Sequence, residues 1–74
     1  MQSEIEYTIT TPVYKEAVEI VIKYNYCSII FIQQTLGIGF NYASRLVEAM
    51  EHEGIIGKMQ PDGTHPVIRK SRPV

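Results

Sequence analysis

The stretch that decides the fold is LGIGFNYASRLVEAMEHEG, which runs from Leu36 to Gly54. A glycine-containing turn comes first, and Asn41, a residue type that favours helix N-caps, follows it. Apolar residues then recur at i, i+3, i+4 and i+7, and Gly54 marks the end of the pattern. This layout predicts an amphipathic helix that begins near Asn41 and turns four residues inward: Ala43, Leu46, Val47 and Met50.

The face of this helix opposite the apolar stripe holds the candidate site. At about 100° per residue, Asn41 and Arg45 lie on it together with Glu48 and His52. Asparagine pairs with adenine and arginine with guanine in the DNA major groove. Two simpler interpretations remain open, since Asn41 is also a good N-cap and Arg45 can pair with Glu48 on the helix surface.

Two further helices are predicted before this one. Thr11 is a good N-cap and Pro12 suits a first helical position, so a helix is expected from there to about Asn25. The stretch CSII suggests a brief strand, and FIQQTLG a short helix that Gly37 ends. Residues 1–10 alternate loosely between apolar and polar, which predicts an N-terminal arm or a short strand.

A hairpin is predicted after the third helix. The runs IIGKM and HPVIRK flank QPDGT, and Pro-Asp-Gly between apolar runs is typical of a tight turn. Three helices followed by such a hairpin give the α+β class, a winged helix-turn-helix with a C-terminal two-stranded wing. The predicted domain covers residues 11–70, and residues 71–74 form a tail.

Composition narrows the class of protein. The 74 residues suffice for one domain, and 45% apolar residues indicate a globular chain. A net charge of -1 argues mildly against strong non-specific binding of DNA. Cys27 is the single cysteine and is interpreted as a small buried hydrophobe rather than a redox group. No signal peptide, membrane span, metal-binding spacing or catalytic motif is evident, so we expect a cytoplasmic protein without cofactor or enzymatic activity.

The sequence resembles a known family from Pro12 onward. The segment PVYKEAVEIV, followed by SIIFIQQTLGIGFNYASRLVEAMEHEGIIGKMQPDGTHPVI, is similar to the gamma domain at the C-terminus of FtsK/SpoIIIE-type DNA translocases. The most specific piece is IGFNYASRLVEAMEHEGII. The resemblance implies a winged helix that binds double-stranded DNA, recognises short sequences that orient the translocase on the chromosome, and contacts a XerD-type recombinase.

The departures from the family pattern fall on its basic residues. Where the family has arginine this chain has Gln34, Gly37 and Tyr42, and His65 with Pro66 replaces the Arg-Glu pair of the wing. Asn41 and Arg45 are kept. The predicted DNA-binding set combines the kept residues, the replaced positions and basic residues of the wing: Gln34, Asn41, Tyr42, Arg45, Lys58, His65 and Arg69.

A second hypothesis comes from a different class. Ile30 and Tyr42 are apolar or aromatic where the family is polar, and Phe31 stands at a position where the family varies. Exposed apolar patches usually mark protein interfaces. The chain is therefore either a DNA-binding module, which we favour, or a protein-interaction module that binds a partner or dimerises through these three residues. Whether it is a whole small protein or one domain of a longer chain stays open.

Overall fold

The computed structural model of the protein describes residues 4–69. Within this range it contains four α-helices, and the bounds of these helices in chain order are α1 Glu4–Thr8, α2 Pro12–Tyr24, α3 Ile29–Leu36 and α4 Phe40–His52. None of the four has the length and apolar character needed to span a bilayer. The three helices predicted from the sequence correspond to α2, α3 and α4.

Helix α1 replaces the predicted arm or strand. Ile5 and Ile9 are half-buried against the core, whereas Tyr7 is 65% exposed. The i, i+4 pair of isoleucines therefore determines the local structure, and the apparent alternation with Tyr7 does not. The Thr8 hydroxyl donates to the carbonyl of Glu4 at 2.8 Å, which closes the single turn. Residues 1–3 of the predicted arm and the predicted tail lie outside the described residues.

Helix α2 begins and ends as the sequence predicts. Thr11 is its N-cap, and the hydroxyl of Thr11 accepts a hydrogen bond from the Tyr14 amide at 3.3 Å. Pro12 follows at the first position, where its missing N–H has no intrahelical partner to lose. Asn25 ends the helix in the left-handed region at φ 52°, a conformation that asparagine tolerates better than most residues.

Helices α3 and α4 are joined by the short turn that contains Gly37 and Gly39. Ser28 caps α3 through a hydrogen bond from the Phe31 amide at 3.0 Å, and Gly37 ends α3 at φ 65°. Gly39, not Asn41, is the N-cap of α4, and it forms no side-chain capping bond. Asn41 is therefore the second residue of α4: the helix begins near Asn41 as predicted, but the interpretation of Asn41 as its N-cap is wrong.

The predicted two-stranded wing is wrong for the described residues. Residues 55–69, here called the C-terminal segment, form no strand and only isolated antiparallel bridges, Ile56 with Val67 and Thr64 with Ser28. The ladder is interrupted because Pro66 has no N–H and the His65 amide donates to the Cys27 carbonyl at 2.8 Å. The short strand predicted at CSII is likewise reduced to the bridge of Ser28. The fold of residues 4–69 is thus all helical in its regular elements.

One apolar core lies between α2, α3, α4 and the C-terminal segment. Its largest fully buried side chains come from these helices, the segment and the residues before α3: Val21, Cys27, Ile32, Leu46, Met50 and Ile56. Burial raises the pKa of the Cys27 thiol to about 12, so almost no reactive thiolate forms near neutral pH. The interpretation of Cys27 as a buried hydrophobe is confirmed.

Candidate nucleic-acid interface

The exposed face of α4 is built by the helix-turn-helix pair. Helices α3 and α4 pack closely, and the buried stripe of α4 fixes which residues face outward. Asn41 and Arg45 are both solvent-accessible and lie one turn apart on the outer side. Because Gly39 provides the cap position, the Asn41 side chain has no capping role at the start of α4. The structure thus brings together the two residues that the sequence predicts at the centre of the site.

Arg45 forms an ion pair that local spacing did not predict. The Nε atom of Arg45 lies 3.5 Å from Oε2 of Glu4 in α1, and both side chains are more than half exposed. Among the described residues no ion pair joins Arg45 to Glu48, the partner that the helix spacing offered. Helix α1 packs along α4, which explains how an acidic residue far away in sequence reaches this arginine.

A groove opens beside this face. It has a volume of about 560 Å³ and lies between the start of α3, the start of α4 and the turn at residues 59–63. Its edges expose large apolar side chains, with Ile30 at 50%, Phe40 at 51% and Met59 at 60%. Phe31 lines it as well and packs edge-to-face against the ring of Tyr26, with 5.1 Å between the ring centroids. We call it the α3–α4 groove.

The groove carries little positive charge. Of the described residues that line it, Asp62 alone is charged, and Gln34 is the polar residue contributed by α3. The Thr64 hydroxyl donates to the Asp62 carboxylate at 2.6 Å and the Thr64 amide donates at 3.0 Å. These hydrogen bonds lower the pKa of Asp62, so the carboxylate is ionised at neutral pH. The wall of the groove is therefore apolar with a single negative charge.

The residues of the second hypothesis are only partly brought together. Ile30 and Phe31 both line the α3–α4 groove, whereas Tyr42, at 37% exposed, is not among its lining residues. Sequence reasoning left Phe40 out of the predicted interaction set and gave no role to Met59 or Tyr26. The Pro-Asp-Gly turn was the available signal, because it places Met59 and Asp62 near a bend that can approach α3.

His65 occupies an interior position, not a surface one. The residue is 6% exposed, and its Nδ1 lies 2.8 Å from the carbonyl oxygen of Gly57, so Nδ1 carries the proton and donates. Its backbone amide bonds the Cys27 carbonyl. His65 thus holds the C-terminal segment against the core, and a direct contact between its ring and a phosphate is incompatible with this position.

Arg69, one of the two basic residues assigned to the wing, lies far from the start of α4. Arg69 lines a second cavity of about 310 Å³ with Tyr14 and with Glu53, the C-cap of α4. Because Glu53 is about twelve residues beyond Asn41, Arg69 is close to the opposite end of α4, roughly 18 Å along the axis. Lys58 is exposed in the C-terminal segment. Arg69 therefore cannot join Asn41 at one base pair.

Tyr14 is a buried residue that lines the second cavity. Burial raises the pKa of Tyr14 to about 12, with the Glu53 carboxylate acting in the same direction and Arg69 in the opposite one. The phenol therefore stays protonated throughout the physiological range. Tyr14 contributes to the core between α2 and the C-terminal segment and offers no group that titrates near neutrality.

Comparison with known proteins finds a family whose match spans α2, α3 and α4. A family model described as the Ftsk gamma domain matches residues 9–70. The chain is 41% identical over 59 residues to DNA translocase FtsK 2 of Neisseria meningitidis serogroup A, and the match covers 80% of the chain and 6% of that protein. It is 42% identical over 57 residues to DNA translocase FtsK of Pseudomonas aeruginosa, with 77% of the chain and 7% of the relative covered.

A third relative shows the same relation. DNA translocase FtsK of Listeria monocytogenes is 39% identical over 54 residues, which covers 73% of the chain and 7% of that protein. The chain thus spans less than a tenth of the length of these curated relatives. The residues that match the family model include all of α2, α3 and α4 and leave α1 outside. The chain belongs to the FtsK gamma domain family.

Proposed function

We propose that the protein is a module that binds double-stranded DNA through the exposed face of α4. The observation that supports this most is the pair Asn41 and Arg45, solvent-accessible one turn apart on a helix held by a helix-turn-helix contact. Asn41 is available for a bidentate contact with adenine and Arg45 for one with guanine. The relatives are named as DNA translocases, which supports a role on DNA.

Other predicted residues supply secondary contacts in this proposal. Gln34 on α3 and Tyr42 on α4 are both accessible to solvent and can donate hydrogen bonds to phosphate oxygens. Lys58 adds a phosphate contact from the C-terminal segment, and Arg69 reaches a phosphate further along the duplex. His65 takes no direct part because it is buried. With few cations at the interface, we expect modest affinity and a shallow dependence on salt.

Arg45→Ala tests the proposal. We expect the change to weaken duplex binding by about 1 to 3 kcal/mol and to relax the preference at one or two base pairs, because a bidentate contact to guanine is lost. Fluorescence anisotropy at low salt, with guanine-containing and guanine-free duplexes, measures both effects. Lys23→Ala is the control, since Lys23 is an exposed cation of α2 and its loss changes the charge equally.

Two results would contradict the proposal. Equal losses for Arg45→Ala and Lys23→Ala, with unchanged base preference, would mean that Arg45 contributes charge alone. Absence of binding by the parent protein at about tens of micromolar, where non-specific binders already associate with DNA, would remove duplex binding as a function.

A second candidate function rests on the α3–α4 groove. Ile30, Phe40 and Met59 expose apolar surface around one cavity, and such concave apolar surface is typical of protein interfaces. We infer that the groove receives a side chain of another protein or of a second copy of this chain. A XerD-type recombinase is the partner class that the family resemblance implies.

Under this second function, Ile30→Ser should abolish self-association. Ile30 is half-exposed at the edge of the groove, so its replacement removes apolar contact area without changing charge or core packing. Sedimentation velocity over a concentration series measures the effect, and Tyr7→Ser on α1 is the control for loss of an exposed apolar residue elsewhere. A parent protein that stays monomeric at all concentrations excludes the homodimer.

A further inference from the structure

We propose that α1 competes with DNA for Arg45 within the same molecule. The Glu4 carboxylate of α1 pairs with the Arg45 guanidinium, and a duplex must displace this carboxylate in order to bind. This inference rests on the proposed function, because it concerns access to the same arginine. The ion pair carries the inference, with 3.5 Å between Nε of Arg45 and Oε2 of Glu4.

Helix α1 is docked against α4 and is not a free extension. Its Thr8 is buried, and Ile5 and Ile9 pack against the core. Ala49 points away from the buried stripe of α4 and is nevertheless 0% exposed, as expected if α1 covers that side of the helix. The carboxylate of Glu4 is therefore held beside the face that the proposed function assigns to DNA.

The electrostatics make the contact competitive. A carboxylate beside the guanidinium partly neutralises the charge that a phosphate would otherwise meet, and Oε2 of Glu4 lies 3.5 Å from Nε of Arg45. If Glu4 stayed beside Arg45 in the complex with DNA, its negative charge would lie next to the duplex backbone. Binding through Arg45 thus requires Glu4 to move or leaves two anions close together, and both outcomes lower affinity.

DNA binding can displace the Glu4 carboxylate at little energetic cost and leave α1 docked. Exposed ion pairs contribute little, and a helix this short is unstable by itself, so the docked state of α1 depends on Ile5 and Ile9. Helix α1 also lies outside residues 9–70, the part that matches the family. In this chain the competitor is therefore a short helix that precedes the family domain in sequence.

A double-mutant cycle tests the competition. Glu4→Gln should tighten duplex binding about two- to fivefold at low salt, the range expected for releasing an exposed ion pair. Glu16→Gln is the matched control, because Glu16 is exposed on α2 and its change alters the net charge equally. In the Arg45→Gln background, Glu4→Gln should have no more effect than Glu16→Gln. Nitrogen-15 NMR of the Arg45 side chain should show one perturbation with Glu4→Gln, which removes the carboxylate, and a second, different one when duplex is added to the parent protein and replaces it.

Each outcome of this cycle supports or overturns the competition. Equal gains from Glu4→Gln and Glu16→Gln in the parent background would overturn it and leave the DNA-binding proposal intact. Weaker binding by Glu4→Gln would also overturn it, because Glu4 would then position Arg45 for DNA. Binding by Glu4→Gln where the parent shows none would support it, and absence of binding by both proteins would end both proposals.

Discussion

Leu46→Ala is expected to lower the free energy of unfolding by about 2 to 5 kcal/mol, the usual range for truncating a buried leucine. Leu46 is fully buried on the inner side of α4, in the same cluster as Ile32 and Met50. The loss combines the transfer free energy of the removed methyl groups with the cavity left behind. At about 0.05 to 0.15 kcal/mol per residue, a chain of this length has only a small margin of stability, so the variant should be partly unfolded at room temperature.

Urea denaturation followed by circular dichroism measures this effect. Glu48→Ala is the control, because Glu48 is an exposed residue of the same helix, two positions after Leu46, and alanine preserves helix propensity. Its change should stay within about 0.5 kcal/mol, as for most surface substitutions. A similarly small change in unfolding free energy for Leu46→Ala would show that Leu46 does not face the core. The inner face of α4 would then be wrongly assigned.

The same residue illustrates why α2 and α4 could be predicted from the sequence. Helical periodicity and capping are local properties, so Leu46 and its stripe identify the inner face without knowledge of the rest of the chain. Thr11, Pro12 and Asn25 mark the ends of α2 for the same reason, since each acts on its own neighbouring backbone. These parts of the prediction are confirmed by the structure.

The C-terminal segment could not be predicted in this way. Its sequence contains a turn signal and two apolar runs, which indicate a hairpin, but the pairing depends on where each amide finds its acceptor. The His65 amide bonds Cys27, a residue before α3, and Pro66 has no amide to offer. A long-range hydrogen bond thus interrupts the local pairing, of which the Gly57–Pro66 and Gln60–Thr64 backbone bonds remain, and no pattern within residues 55–69 indicates it.

The same difference between local and long-range interactions applies to the candidate site. A helical wheel predicts that Asn41 and Arg45 share a face, because their spacing is local. It cannot predict that Arg45 pairs with Glu4, since that contact depends on how α1 docks. Nor can it bring Ile30 beside Phe40 and Met59, which come from three parts of the chain. Sequence therefore locates the face, and tertiary packing determines what borders it.

The double variant Gln34→Arg with Tyr42→Arg should bind duplex DNA about a hundredfold more tightly at about 50 mM salt, since each added phosphate contact contributes roughly one decade there. Both positions are accessible to solvent, and both are arginine in the family pattern that the sequence resembles. The slope of log affinity against log salt should become steeper by about 2. Gly37, the third departure and the residue that ends α3, is left unchanged, because its φ of 65° disfavours any side chain.

The control must separate local contacts from net charge. Glu16→Lys on α2 raises the formal net charge by the same amount as the double variant does, but it adds the new charge to another helix. We expect Glu16→Lys to improve affinity far less and to leave the salt slope nearly unchanged, because no new phosphate contact forms. Anisotropy titrations from about 50 to 200 mM salt, run in parallel on both variants, measure the difference.

The double variant also decides between the two candidate functions, because Gln34 lines the α3–α4 groove while Tyr42 lies outside it on α4. If the double variant binds DNA more tightly with a steeper salt slope, and Glu16→Lys changes affinity little, the duplex binds on this surface. The chain would then be a DNA-binding module whose affinity has been lowered by substitution of the family's arginines. Loss of self-association in sedimentation velocity without a gain in DNA affinity would instead favour the groove as a protein interface, since one new cation in the groove and a second outside it on α4 oppose an apolar contact. If neither property changes, the surface formed by α3 and α4 is not where this protein acts, and both functions are wrong.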